Sequence, residues 1–113
     1  SPEFEPAALV PAYRCEPFVG GVVRGLLRHV PVVLVVDDGS DDGTAERAEE
    51  AGARVLRRPA NGGKGTAVRD GLAELLPGPY THVAFVDGDG QHDPDDLPGL
   101  LAAARKGADF VIG

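Results

Sequence analysis

The sequence predicts an α/β fold, a mainly parallel sheet flanked by helices, and three observations predict it. The run Val32-Val33-Leu34-Val35-Val36 is apolar, largely β-branched and free of polar interruptions, as expected of a parallel strand covered on both faces. Such runs alternate with segments of helical periodicity, the order that builds a parallel sheet. The acids and glycines gather just after the apolar runs, where sheets of this kind bind their ligands.

Ala7 to Val10 is a short first strand, expected to stop at Pro11. Phe18 to Val30 places Phe18, Val19, Val22, Val23, Leu26, Leu27 and Val30 at helical spacing, which predicts an amphipathic helix. After the Val32–Val36 strand comes the turn-forming cluster Asp37-Asp38-Gly39-Ser40-Asp41-Asp42-Gly43. A helix is expected from Thr44 to Ala51, closed by Gly52. Arg54 to Leu56 is a short strand, and Asn61-Gly62-Gly63-Lys64-Gly65 a loop. A helix follows from Thr66 to Leu76, ended by Pro77, and then a strand from His82 to Val86. Asp93-Pro94 has the form of a helix start, with an acid at the cap and proline in the first turn. That helix is expected to reach Lys106, before a last strand from Ala108 to Ile112.

The 113 residues suit one domain with a single core, 42% of them hydrophobic and 26% charged. Eighteen acids against 11 Lys and Arg leave a formal charge of -7. That balance argues against a nucleic-acid partner, which needs clustered cations to neutralise phosphates. One cysteine, Cys15, excludes an internal disulfide and a multi-cysteine metal site, in keeping with a cytoplasmic location. No apolar run approaches the length of a membrane span. Residues 1–4, Ser-Pro-Glu-Phe, resemble an expression-vector remnant and are set aside; residues 5–113 are taken as the domain.

The strand ends carry the chemistry. Asp87 and Asp89 lie two apart, so in an extended chain both carboxylates project to one side. Gly88 and Gly90 permit close backbone approach, and Gln91 adds a further oxygen. Hard oxygen ligands of this kind suit Mg²⁺ or Mn²⁺, a cation that offsets charge growing on a departing diphosphate. An isolated Asp-x-Asp is also a common solvated turn; the apolar strand before this one favours metal. Asp37 and Asp38 are adjacent and point to opposite faces, which predicts separate jobs. One accepts hydrogen bonds from a nucleobase N–H or a ribose hydroxyl while the other fixes the turn. Asp41 and Asp42 are adequately explained as acids at a helix start. Lys64 and the amides around it could meet a phosphate, although the loop has no Walker A sequence.

In this order, Val10-Pro11-Ala12-Tyr13, Val35-Val36-Asp37-Asp38-Gly39-Ser40 with Asp42-Gly43-Thr44, Asn61-Gly62-Gly63-Lys64-Gly65 and Val86-Asp87-Gly88-Asp89-Gly90-Gln91-His92 resemble the family 2 glycosyltransferases of the GT-A fold, especially polyprenyl-phosphate glycosyltransferases of the dolichol-phosphate mannose synthase type. The trailing Gly107-Ala108-Asp109-Phe110-Val111-Ile112-Gly113 is similar to that family's next strand. The resemblance implies the N-terminal, nucleotide-sugar-binding half of a Rossmann-like GT-A domain. Pro11, Ala12, Tyr13, Asp37, Asp38, Lys64 and Gly88 would bind the nucleotide, with Tyr13 near the base and Lys64 near the diphosphate. Asp87, Asp89 and Gln91 would hold Mg²⁺ or Mn²⁺.

It further implies an inverting transfer from a UDP- or GDP-linked sugar to an acceptor such as a polyprenyl phosphate, at the inner face of a membrane. The catalytic base is expected beyond Gly113, so the chain is expected to bind donor without turnover. Its last strand offers an edge for pairing with a second copy. The match departs from the family at Arg14 and Cys15, which stand where Asn and Glu are usual, with Glu16 one place later.

Rival classes fit less well. A phospho-accepting receiver would begin with the acid-pair strand, whereas a strand and helix precede it here. An EF-hand would need glycine at the position of His92 and an acid at that of Pro98. A nucleotidyltransferase would carry a glycine-rich signature with Arg directly after the first strand, unlike Pro11-Ala12-Tyr13-Arg14.

Overall fold

The structure is a computed structural model that describes residues 5–86, residue 88 and the backbone of residues 110–112. Strand β1 (Pro6–Ala12) leads into helix α1 (Glu16–Leu27), strand β2 (Val32–Asp37) into helix α2 (Thr44–Glu50), and strand β3 (Arg54–Arg57) into helix α3 (Lys64–Leu75). Strands β4 (His82–Phe85) and β5 (Phe110–Ile112) complete the described elements. The helix expected from Asp93 to Lys106 lies outside the described residues.

All five strands form one sheet in the order β3-β2-β1-β4-β5, and every pairing is parallel. The chain runs outward from β1 through β2 to β3, then crosses to the other side of β1 as β4. The order therefore reverses at β1, and the crevice at such a reversal is where ligands bind in open parallel sheets.

Alternation along β1 assigns its side chains to two cores. Ala8, Val10 and Ala12 face α1, where Val19, Val22, Val23 and Leu26 close the layer. Ala7 and Leu9 face the opposite way, against Ala67 and Leu75 of α3. The apolar run of β2 divides likewise, Val33 and Val35 to the first core and Leu34 and Val36 to the second. A strand buried on both faces has no polar side to show, which is why its sequence lacks alternation.

Several boundaries differ from expectation for local reasons. β1 does not stop at Pro11. Leu9 O accepts a hydrogen bond from Val86 N on the β4 side, whereas Ala12 O accepts one from Asp38 N on the β2 side. By alternation the N position of Pro11 faces β4, whose pairing with β1 ends at Leu9. Proline therefore removes no ladder bond. α1 starts at Glu16, two residues early, because Pro17 suits a first helical turn and the Cys15 carbonyl accepts from Phe18 N and Val19 N. It ends at Leu27, although Val30 N still reaches Leu26 O and Val30 stays buried. α3 starts at Lys64 because Gly63, at φ 94°, supplies the reversal before it.

α3 lies close to the sheet. A Cβ at Gly71 would stand 2.6 Å from Leu9 Cδ1 and 2.8 Å from Val36 Cγ2, both core atoms. Overpacking of this sort costs about 1–3 kcal/mol, more than the ~1 kcal/mol that alanine gains over glycine in a helix. At Gly21, exposed on α1, an added Cβ meets nothing within 4 Å. Gly71→Ala is therefore expected to lower unfolding stability and Gly21→Ala to raise it by about 0.5–1 kcal/mol. Urea denaturation of the two variants should move the midpoint in opposite directions.

Candidate functional site

The two carboxylates at the end of β2 do separate work. Asp37 Oδ1 accepts the Ser40 N–H at 3.1 Å, and its carbonyl accepts Arg58 N–H at 2.8 Å, so Asp37 shapes the turn. Asp38 is buried, 4% exposed, and a carboxylate so placed must be compensated by donors. Its Oδ1 accepts from the Arg58 guanidinium and from Gly62 N at 3.1 Å, and its Oδ2 accepts from Gly63 N at 2.9 Å. Asp38 thereby ties the end of β2 to the loop that precedes α3.

A second set of bonds ties the loop after β1 to the same turn. Arg14 adopts φ 52°, its N–H donates to Ser40 Oγ at 2.9 Å, and its guanidinium pairs with Asp41 at 2.9 Å. The guanidinium carbon also lies 5.1 Å from the centre of the Tyr13 ring, within the range of a cation–π contact. Cys15 N donates to Thr44 Oγ1 at 3.0 Å, and that hydroxyl donates to Asp42 Oδ1 at 2.5 Å. Glu16, one place later than the family spacing, accepts the Gly43 N–H at 3.0 Å. It is thus spent on holding α1 to the β2–α2 turn.

These loops enclose a cleft of about 190 Å³ lined by Pro11, Ala12, Tyr13, Asp38, Asn61, Gly63, Lys64 and Ala67. It lies over the carboxyl ends of β1 and β2, facing the start of α3. Five of the nucleotide-binding candidates, Pro11, Ala12, Tyr13, Asp38 and Lys64, come together there from three distant stretches of sequence. Asp37 lies beneath the turn and is not among the lining residues. Gly88 is packed against the same region: an added Cβ would be 3.1 Å from Ala12 Cβ, 3.2 Å from Cys15 Sγ and 3.3 Å from Val10 Cγ1.

Asp87, Asp89 and Gln91 lie outside the described residues. Among the described residues no group of three His, Cys, Asp or Glu side chains could hold a metal ion.

Asn61, Gly63 and Ala67 also line the cleft, and of these Ala67 alone lies outside the loop whose amides the sequence offers to a phosphate. The first two lie in the quoted glycine loop, and Ala67 falls one helical turn after Lys64. Arg58 had no local signal at all, since its partners Asp38 and Asp70 are far along the chain.

The sequence model of Glycosyl transferase family 2 matches residues 7–113. Glycosyltransferase AglJ of Haloferax volcanii is 44% identical over 81 residues, 72% of this chain and 26% of that protein. The undecaprenyl-phosphate mannosyltransferase of Micrococcus luteus is 43% identical over 86 residues, 72% of this chain and 35% of that protein. Among solved structures, the glucosyl-3-phosphoglycerate synthase of Mycobacterium tuberculosis, in complex with Mn²⁺, UDP-glucose and phosphoglyceric acid, superposes with a TM-score of 0.78 at 27% identity. That superposition covers 93% of this chain and 40% of the synthase. The mannosyl-3-phosphoglycerate synthase of Rubrobacter xylanophilus gives a TM-score of 0.74 at 26% identity, over 87% of this chain and 35% of that one.

Fold and cleft together define an α/β domain of the GT-A glycosyltransferase type. The chain belongs to glycosyl transferase family 2. It spans roughly a quarter to a half of the length of the curated relatives it matches, from 26% of one to 50% of another.

The Asp42 carboxyl is held below its ordinary value of 3.8, chiefly by the Thr44 hydroxyl, which with the Thr44 N–H outweighs the opposing effect of partial burial. A carboxyl depressed by folding adds stability that is complete above 3.8 and lost as pH falls through the lower folded value. Between pH 6 and pH 3 the urea midpoint of the parent chain should fall further than that of Asp42→Asn, which has no such proton to bind. Equal slopes would remove Asp42 from the acid response.

Proposed function

We propose that this chain is the donor-binding half of a metal-dependent, inverting glycosyltransferase. The observation that carries the reading is the convergence of Pro11, Tyr13, Asp38 and Lys64 on one cleft at the point where the strand order reverses. Each offers what one part of a nucleoside diphosphate requires. Tyr13 presents an aromatic surface to a base, and the free lone pair of Asp38 Oδ2 can accept an N–H or a hydroxyl. Lys64, at the N-terminus of α3, adds a cation where the helix end already favours an anion.

Asp87 and Asp89, with Gln91, would hold Mg²⁺ or Mn²⁺ beside Gly88. When bound, that cation would neutralise charge on the diphosphate. The Mn²⁺ and UDP-glucose bound by the M. tuberculosis synthase support this choice. The M. luteus mannosyltransferase, named for an undecaprenyl phosphate, supports a lipid phosphate acceptor; such an acceptor would imply work at the cytoplasmic face of a membrane. The acceptor site and catalytic base belong, on this reading, to sequence beyond Gly113.

Calorimetric titration with UDP and GDP, each with and without Mn²⁺, tests the proposal. One of the two should bind, at least roughly tenfold more tightly with Mn²⁺, and Asp89→Ala should abolish the metal effect. Binding of neither nucleotide, or binding indifferent to both metal and Asp89→Ala, refutes it.

A further inference from the structure

We infer that Arg58 is the positioning residue of the donor cleft, acting through Asp38 and not on the ligand itself; this rests on the donor-binding reading above. Arg58 follows β3 directly, and its side chain is 14% exposed. One arm of the guanidinium meets Asp38 Oδ1 at the end of β2, and its Nε meets Asp70 Oδ2 at 3.0 Å on α3. Two carboxylates from different elements thus share one planar cation. That geometry suits arginine's rigid fork and exceeds what a single ammonium can span.

The glycine loop is fitted to the same group. A Cβ at Gly62 would stand 2.6 Å and 2.9 Å from the two terminal guanidinium nitrogens, so the loop backbone lies directly on Arg58. On its other side the loop meets the β2–α2 turn: a Cβ at Gly39, at φ 80°, would be 2.6 Å from both Ala60 C and Asn61 N. Asp38 is held by Arg58, and Asp38 in turn accepts the Gly62 and Gly63 amides. Gly63 and Lys64 are the residues that line the cleft at the start of α3.

With both acids bound, Arg58 does not serve as a ligand for a diphosphate. Its effect is to fix the direction of Asp38 and the place of Lys64 before any nucleotide arrives. Without the cation, Asp38 would be a buried carboxylate with amides alone for compensation, and it would turn toward solvent through the cleft.

The test joins amide exchange with nucleotide titration in Arg58→Gln and Arg58→Lys. In Arg58→Gln the Gly62 and Gly63 amides should exchange at least about tenfold faster, as expected when a charge-assisted bond is lost. Leu9 and Val35, in the core strands, should keep their protection. Affinity for the UDP or GDP that the parent chain binds should fall at least roughly tenfold, as when a supporting residue behind a site is removed. Arg58→Lys keeps a cation against Asp38 without spanning to Asp70, and should lie between parent and Arg58→Gln in both readouts.

Unchanged Gly62 and Gly63 exchange in Arg58→Gln overturns the inference, as does faster exchange with undiminished affinity. Equal loss of protection at Leu9 and Val35 also overturns it, by making Arg58 a general stabiliser. Should Arg58→Gln not fold, parent-like exchange or parent-like affinity in Arg58→Lys has the same force. If the parent chain binds neither nucleotide, the donor reading fails on its own, while the exchange of Gly62 and Gly63 still decides whether Arg58 organises the loop.

Discussion

Burying the carboxylate of Asp38 is the constraint around which the upper face of this domain is organised. A charge 4% exposed must find donors, and none lies on its own strand. The chain supplies them from the end of β3 and the loop before α3, twenty and more residues further on, so two distant stretches are drawn to one point. Two of these bonds also satisfy loop amides, those of Gly62 and Gly63. Among the described residues no buried side-chain nitrogen or oxygen is left without a partner. The loops at the carboxyl ends of β1 and β2 are held this way throughout, through Thr44 to Cys15 and Glu16 to Gly43.

The cleft itself lies where β1 and β2 end beneath the start of α3. Among the described residues β1 pairs with β4 as far as Leu9 and with β2 as far as Ala12. Pro11 stands where the second ladder has ended, and it has no N–H to offer there in any case. The ends of β1 and β2, the glycine loop and the first turn of α3 supply its lining. A residue that reads as a strand breaker thus lines the cleft while remaining within β1.

The sequence shows these features unequally, for physical reasons. β2 was plain because burial on two faces leaves an unbroken apolar run. The core face of α1 was plain because helical spacing repeats within twelve residues. Two helices start two residues earlier than apolar periodicity predicts, at Glu16 and Lys64, because Pro17 and Gly63 govern the backbone there more strongly. The cleft residues Pro11, Tyr13, Asp38 and Lys64 were visible as motifs. Arg58 was not, because an ion pair with a partner twenty residues away has no period and no characteristic spacing. Nor could the turn of Glu16 toward Gly43 be read, since only the fold brings them within reach.

Gly71 has a wider meaning than the packing of α3. Because it carries no side chain, the helix settles directly on Leu9 and Val36, and the N-terminal turn of the same rigid rod comes down over the cleft. The distance from Lys64 to the floor of the cleft is thus inherited from a contact several residues along the helix, at a position that touches no ligand. Selection for a roomier or narrower pocket could act on that contact alone. In a domain built like this, the dimensions of the binding site are a property of the core.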